Sequence, residues 1–330
     1  MAWSVTRWLG IIAAGLVLLL SGLWGALAIW FRLAPASPDR EVLAGGLLLL
    51  AVVAIVCLVL RRWRVVALYG VCFVAVFAWW VTLRPSNDRV WADDVARTAS
   101  GTVDGDYLLM RNVRAFTWRS DSDFEPRWET RSYDLNALTG VDLLMSYWAG
   151  ESIAHAIVSF GFADGQHLAF SIEIRKEKTE SYSALAGFFR AYELSFIAAD
   201  ERDVVGVRTN VRGEDVRLYR LRVTPAQARA LLLEYVAEAD ALADSPRFYN
   251  SLTTNCTTQI FRMVRTLQPS LPLDYRVLLA GYLPDYIYDL GRLNTGIPFE
   301  VLRGRSHIRG KADSTDPDFS KKIREGVPDQ

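Results

Sequence analysis

Charge excess, cofactor motifs and cysteine are absent or scarce in this sequence, and each absence excludes a class of protein. The 330 residues include 37 basic and 37 acidic side chains, so the formal net charge is zero. Nucleic-acid binding requires a surface with an excess of basic residues. No G-x-S-x-G, Walker A or G-x-G-x-x-G motif is present, so the common hydrolase and nucleotide-binding signatures are missing. The three cysteines and three histidines lack the local spacing of zinc ligands. We therefore expect no nucleic-acid partner, no metal and no cofactor.

Charge is also nearly absent from the first 83 residues, where three long apolar runs stand out. Residues 8–31, 42–60 and 65–83 contain no Asp, Glu, Lys or Arg. About 20 apolar residues cross the hydrocarbon core of a bilayer, so each run predicts a transmembrane helix. We expect a membrane part over 1–84, a linker over 85–103, a globular domain over 104–303 and a loosely held polar tail over 304–330.

The basic residues around the apolar runs predict an orientation. Arg61, Arg62 and Arg64 lie between the second and third runs, and Arg7 precedes the first. The positive-inside bias places the N-terminus and this turn in the cytoplasm. Three crossings then place the globular domain on the far side. We expect a multi-pass protein of the bacterial inner membrane with a periplasmic domain.

Cys256 is the only cysteine after the apolar runs, since Cys57 and Cys72 lie within them. It follows the cap-type residue Asn255 and precedes apolar residues at helical spacing over 260–264, so it should begin a helix. Backbone N–H groups and the helix dipole favour a thiolate there, and can lower the pKa from about 8.5 to roughly 3.5–7.5. A small buried apolar side chain is the alternative interpretation.

A predicted β-hairpin carries the best candidate for a base. Alternating runs over 154–162 and 167–175 flank Asp164-Gly165, a strong hairpin signal. His155 opens the first strand, and Glu173 lies near the end of the second. A three-residue connection would place His155 opposite Arg175 and on the same face as Glu173. A two-residue turn would shift the pairing by one residue and so reverse which residues share a sheet face with His155. The sequence leaves both possibilities open.

The other two histidines and the remaining elements are assigned from local patterns. His167 adjoins the hairpin turn and His307 lies in the charged tail, so we expect both to be solvated. The apolar segment 181–190 either packs on the core, dips into the membrane interface or lines an acyl channel. Further predicted elements are strands over 192–199, 203–209 and 215–223, a capped helix from 225 to about 244, and a helical stretch over 273–290 bent at Pro284.

Several long segments of the outer domain resemble the Lnb family of bacterial lipoprotein N-acyltransferases. They are RSYDL (131–135), SYWAGESIAHAIVSFGF (146–162), SIEIRKE (171–177), YSALAGFFRAYEL (182–194), ADERD (199–203) and YNSLTTNCTT (249–258). The order of histidine before cysteine is similar to permuted members of the papain-like and NlpC-like superfamily, such as lecithin–retinol acyltransferase. The resemblance implies a membrane-anchored α+β protein whose periplasmic domain is a permuted papain-like (NlpC-like) antiparallel sheet with helices.

The resemblance also implies site residues and an activity. The family cysteine maps to Cys256, the histidine to His155 and a glutamate that orients the histidine to Glu173. Thr254 replaces the first of two asparagines that usually precede the cysteine. The implied reaction forms an acyl-thioester on Cys256 from a phospholipid or lipoprotein ester. It then passes the acyl group to the N-terminal amine of a diacylglyceryl-cysteine lipoprotein. The alternatives are a periplasmic cysteine peptidase or amidase and a non-catalytic envelope scaffold.

Overall fold

The computed structural model describes residues 2–34 and 37–329, which fall into two compact units. The first unit comprises residues 1–86 together with 179–192, and the second comprises 87–178 together with 193–330. The fold class is confirmed as three long apolar helices followed by a mixed α+β domain, whereas the papain-like topology stays a prediction.

The first unit is built on three helices, each long and apolar enough to cross a membrane. They are α1 (Ala2–Arg32), α2 (Asp39–Val59) and α3 (Trp63–Thr82). Gly22 lets α1 approach α2 closely, because a Cβ at this position would lie only 2.5 Å from the Cβ of Ala51. Small residues at helix contacts are typical of membrane helix packing, where van der Waals contact replaces the hydrophobic effect.

The second unit is organised around an eight-stranded sheet of order β1-β2-β9-β8-β7-β6-β10, in which β5 also pairs with β2. All pairings are antiparallel except that of β2 with β9, and β3 and β4 form a separate small sheet. The strands are β1 (Ser100–Asp104), β2 (Tyr107–Arg114), β3 (Thr117–Trp118), β4 (Phe124–Glu125), β5 (Trp128–Asp134), β6 (Leu138–Tyr147), β7 (Ala154–Phe162), β8 (His167–Arg175), β9 (Glu193–Ala199) and β10 (Asp215–Arg220).

Six α-helices and a π-helical turn follow within the described part of this unit. They are α4 (Glu201–Val204), the π-helical turn Val207–Val211, α5 (Pro225–Asp244), α6 (Cys256–Leu267), α7 (Leu283–Asp289), α8 (Phe299–Arg305) and α9 (Phe319–Lys322). Helix α5 begins at the predicted capping box, in which the side chains of Thr224 and Gln227 bond each other's backbone N–H groups.

Both faces of the sheet are buried, so its central strands are apolar on both sides. Val158 and Phe160 of β7 belong to a large core cluster that also contains Tyr235 of α5. Ile157, between them and pointing the other way, belongs to a second cluster with Phe319 of α9. His155 has the same alternation as Ile157 and therefore lies on the face of the second cluster.

The prediction of a loosely held tail is wrong for the residues that complete this second cluster. Ile308, Phe319 and Ile323 each have 1% of their surface exposed or less. Arg324 donates from Nη2 to Glu201 Oε1 at 2.6 Å and from Nε to Asp142 Oδ2 at 2.8 Å. A few apolar side chains and one buried cation thus attach a polar segment firmly to the sheet.

Two predicted elements differ from the structure. Residues 203–209 form helical turns rather than a strand, because Asp200 caps α4 and Arg114 of β2 binds the buried Asp203 carboxylate at 2.9 Å. The stretch 273–290 is two 3₁₀ turns followed by α7, with Pro284 in the first turn of that helix instead of at a bend. Proline is tolerated in a first turn because its missing N–H has no partner there.

Candidate active site

The hairpin of β7 and β8 sets the position of His155. Phe162 N donates to Gln166 O at 3.0 Å, so the turn has three residues, and Gly165 adopts a positive φ of +86°. The strand bounds agree with the predicted runs. The paired register ends with Ile157 opposite Ser171, and His155 and Glu173 continue the alternation of the two strands on the same face. The three-residue alternative therefore holds, but the side chain that His155 contacts is that of Glu173 instead of Arg175.

His155 contacts two polar side chains of β8. Its Nε2 atom lies 2.7 Å from Ser171 Oγ and 3.2 Å from Glu173 Oε1. Ser171 Oγ in turn donates to Glu173 Oε1 at 2.7 Å. Both contacts are made by Nε2, so Ser171 and Glu173 together orient the imidazole ring.

Cys256 is the first residue of α6, as predicted. Asn255 caps the helix, accepting from Thr258 N at 2.9 Å, while Thr258 Oγ1 accepts from Asn255 N at the same distance. Asn255 Nδ2 donates to Ser251 O at 2.9 Å, so both ends of this amide help to position the helix start. The thiol is therefore presented at the positive end of a well-capped helix.

The Cys256 thiol lies beside the His155 side chain and the Ala156 backbone N–H, close enough for both to act on its pKa. The register of β7 with β8 ends at Ile157–Ser171, which leaves Ala156 at the point where the two strands part. Cys256 is buried, with 7% of its surface exposed. The start of α6 thus seats the sulfur beside the first residues of β7.

The electrostatics of the pair favour charge separation. Burial raises the pKa of the Cys256 thiol, but the hydrogen bond and charge of His155 and the Ala156 N–H outweigh it, so the pKa lies below its ordinary value. Burial lowers the pKa of His155, but the charge of Glu173 and the contact with Cys256 raise it to about 9. Burial raises the pKa of Glu173, while His155, Arg208 and Ser171 together hold it well below its ordinary value. Both shifts favour a thiolate beside an imidazolium.

A second set of polar side chains, absent from the sequence prediction, supports Glu173. Arg208 Nη2 donates to Glu173 Oε1 at 3.0 Å, and its Nη1 donates to Glu214 Oε2 at 3.2 Å. Ser146 also donates to Glu214. Arg208 lies in the π-helical turn Val207–Val211, a rare element that is frequent at functional sites. Ser171 could have been found from the sequence, since it precedes Glu173 by two residues on the same strand face.

The other two histidines lie elsewhere. His167 bonds Gly165 O at the hairpin turn, and His307 pairs with Asp215 at 2.7 Å. Thr254 exchanges backbone hydrogen bonds with Asn250. Within the described ranges, no group of three or more His, Cys, Asp and Glu side chains is arranged to hold a metal ion.

These features define a class of membrane protein: three candidate spans joined to an α+β domain in which a helix-terminal cysteine meets a histidine and a carboxylate. Residues 124–281 match the family model described as the Lnb N-terminal periplasmic domain. The resemblance drawn from the sequence is thereby confirmed. The matched range includes His155, Glu173 and Cys256. No curated protein and no solved structure is significantly similar to the chain.

Proposed function

We propose that this protein is a membrane-bound lipoprotein N-acyltransferase in which Cys256 carries the acyl group. The observation that carries the proposal is the position of the Cys256 thiol beside His155, whose Nε2 atom lies 3.2 Å from Glu173 Oε1. A nucleophile, a base within hydrogen-bond reach and a group that orients the base are the parts that thiol catalysis requires. The domain family supports a role connected with lipoproteins at the membrane.

The first half-reaction loads the enzyme. The Cys256 thiolate attacks the ester carbonyl carbon of a phospholipid acyl chain, and backbone N–H groups at the start of α6 stabilise the oxyanion. The new C–S bond forms, the ester C–O bond breaks, and the His155 imidazolium gives its proton to the departing lysolipid alcohol. The product is an acyl-thioester on Cys256.

The second half-reaction transfers the acyl group from Cys256 to the acceptor. The α-amino group of a diacylglyceryl-cysteine lipoprotein attacks the thioester carbonyl, while neutral His155 accepts the amine proton. The amide C–N bond forms and the C–S bond breaks, which regenerates the thiolate beside the imidazolium. Glu173 stabilises the imidazolium in both steps. Because an amide is more stable than a thioester, this step drives the cycle.

The membrane anchor serves this chemistry, since both donor and acceptor reside in a bilayer. We propose the orientation with Arg61, Arg62 and Arg64 in the cytoplasm and the domain in the periplasm, which agrees with the positive-inside bias and with the description of the matched domain. Lipoprotein N-termini of the bacterial inner membrane lie on that side.

Mass spectrometry of the full chain incubated with phospholipid tests the proposal. We expect an acyl mass on the peptide containing Cys256, released on addition of an amine-bearing diacylglyceryl peptide. Cys256→Ala should give no adduct, while Cys72→Ala, which changes a cysteine of α3, should behave as wild type. Cleavage of peptidoglycan fragments without an acyl adduct would instead support the thiol peptidase or amidase.

Complementation provides the test in cells. Wild type should restore N-acylation of lipoproteins in a strain that lacks its own lipoprotein N-acyltransferase, and Cys256→Ala should not. Good expression of wild type without any N-acylation would overturn the proposed activity. Normal N-acylation by Cys256→Ala would overturn the assignment of the nucleophile and leave the scaffold interpretation for this cysteine.

A further inference from the structure

The connection between β8 and β9 belongs structurally to the membrane unit. Residues 179–192 form one compact unit with α1, α2 and α3, although the strands on either side belong to the other unit. The connection contains one 3₁₀ turn, Ala186–Phe189. A segment inserted between two central strands is therefore packed on helices that precede it by more than a hundred residues.

Phe189 attaches this segment to the end of α1. Its ring stacks on Phe31 at a centroid distance of 5.6 Å and lies 6.2 Å from Trp24. Arg32, the last residue of α1, donates from Nη1 to Arg190 O at 2.7 Å. An aromatic contact and a charge-assisted hydrogen bond together fix the segment here.

Arg190 attaches the segment to the end of α3. Its guanidinium lies 4.0 Å from the centroid of the Trp80 ring, and its Nη1 donates to Trp80 O at 3.1 Å. In return, Trp80 Nε1 donates to Phe189 O at 3.3 Å. Arg190 adopts a left-handed backbone conformation with φ of 58°, which is unfavourable for a residue other than glycine. The reciprocal contacts with Trp80 hold it there.

These contacts fix the depth of the segment in the membrane. Arg32 and Trp80 lie in the last turns of their helices, at the same end of the helical bundle. Each helix is long enough to span the hydrocarbon core once, so this end reaches the headgroup region. Tryptophan and arginine are the residues that typically anchor a helix end at that level.

The remaining side of the segment exposes large apolar side chains. Tyr182 has 54% of its surface exposed, Leu185 has 48% and Phe188 has 43%. Aromatic and leucine side chains on one face of an interfacial segment insert between headgroups and upper acyl chains. At the end of a membrane-spanning bundle, the surface that meets such side chains is the bilayer itself.

We propose that residues 179–192 form an interfacial membrane contact whose occupant is phospholipid. Leu185 and Phe188 insert among the upper acyl chains, and Tyr182 lies among the headgroups. The contact is made by side chains of the first unit alone. The proposed contact requires only that α1, α2 and α3 span a membrane. It does not depend on the chemistry that Cys256 performs.

Photocrosslinking in nanodiscs of phosphatidylethanolamine and phosphatidylglycerol tests this contact. Benzoylphenylalanine replaces Phe188 or Leu185 in the full chain carrying Cys256→Ala, so that lipid capture cannot arise from acyl transfer. Val71, 68% exposed within α3, provides the level expected for full lipid contact, and Asp164 at the hairpin turn provides the background. Intact-mass spectrometry measures the phospholipid adduct.

We expect both positions to give phospholipid adducts close to the Val71 level and clearly above the Asp164 level. Adducts at the Asp164 level for both positions, or crosslinks to a second polypeptide in place of lipid, would overturn the proposal. Two positions are used so that a folding defect at one leaves the other informative. The result does not depend on turnover, so failure here and failure of the proposed acyl transfer are distinguishable.

Discussion

Arg208 and His155 meet at the same carboxylate oxygen. Oε1 of Glu173 accepts from Arg208 Nη2 at 3.0 Å and lies 3.2 Å from His155 Nε2. Only 7% of the Arg208 side chain is exposed, so its charge is poorly screened by solvent. Burial lowers the pKa of His155 and the charge of Glu173 raises it. The positive charge of Arg208 also lowers this pKa. This guanidinium therefore moderates how strongly His155 holds its proton.

Replacing Arg208 should shift the pH dependence of the site. In Arg208→Gln the positive charge near His155 is lost, so the imidazolium becomes more stable and the pKa of His155 rises further above about 9. The limb of the pH–rate profile that reports loss of the His155 proton should then move to higher pH. Arg208→Lys retains the charge and should keep this limb near its wild-type position. Profiles of Cys256 alkylation and of acyl transfer measure both effects.

A purely structural role for Arg208 would give a different result. Arg208→Gln would then lower the midpoint of thermal unfolding without moving the pH profile of the folded fraction. The lysine variant would show the same unmoved profile, so the comparison separates the two roles.

Substitutions in the site itself should rank in a definite order. Cys256→Ala removes the nucleophile and should abolish acyl transfer. His155→Ala removes the proton-transfer group, for which losses of about 10²–10⁴-fold are typical. Glu173→Gln keeps the shape but not the charge and should cost about 10–100-fold, as the loss of groups that orient a histidine does in metal sites. Single-turnover acyl transfer in nanodiscs, with circular dichroism as a folding check, measures the series.

The thiolate should persist at a pH where an ordinary cysteine is protonated. The pKa of Cys256 is below its usual value, so the alkylation rate should reach its plateau at a lower pH than in the unfolded chain, where the pKa is about 8.5. His155→Ala removes the charge and hydrogen bond that oppose burial, so its plateau should move to higher pH. A small reagent such as iodoacetamide is required, because 7% of the residue is exposed. A plateau shared with the unfolded chain would contradict an activated thiol.

Breaking the contact between Arg324 and the sheet should destabilise the domain. Arg324→Ala leaves the fully buried side chain of Glu201 without its cation and leaves Asp142 with only the 3.8 Å contact to Arg220. Removing one partner of a buried ion pair typically costs about 3–5 kcal/mol. Lys321→Ala, at an exposed position in the same segment, is the matched control and should be near neutral. Thermal unfolding of the two variants in the same detergent compares them. Equal midpoints would mean that the ion pairs of Arg324 contribute little to stability.

The features that could be predicted from the sequence depend on local signals. Cap residues placed Cys256 at the start of α6, and alternation around Asp164-Gly165 gave the strands of the hairpin. The three apolar runs correspond to α1, α2 and α3 within a few residues. Each of these signals lies within a few residues of the feature it predicts.

The features that could not be predicted depend on partners distant in the sequence. Asp203 and Arg208 lie in a valine-rich stretch that reads as a strand, and its helical form depends on Arg114 of β2. The apolar sequence of segment 181–190 does not show what the segment packs against. One of its partners is Phe31 of α1, on which Phe189 stacks. In the tail, Phe319 is one of few apolar residues in a charged segment. Its burial depends on the second core cluster, which is formed by residues distant in the sequence.

The three-residue turn of the hairpin makes the candidate site sensitive to a change in chain length far from any of its polar groups. Adding or removing one residue between Phe162 and Gln166 would shift the pairing of β7 and β8 by a single step. Because neighbouring side chains on a strand point to opposite faces, that step would turn His155 and Glu173 away from each other across the sheet. An insertion at the solvent-exposed end of the hairpin that shifts the register would therefore separate the base from the carboxylate that orients it.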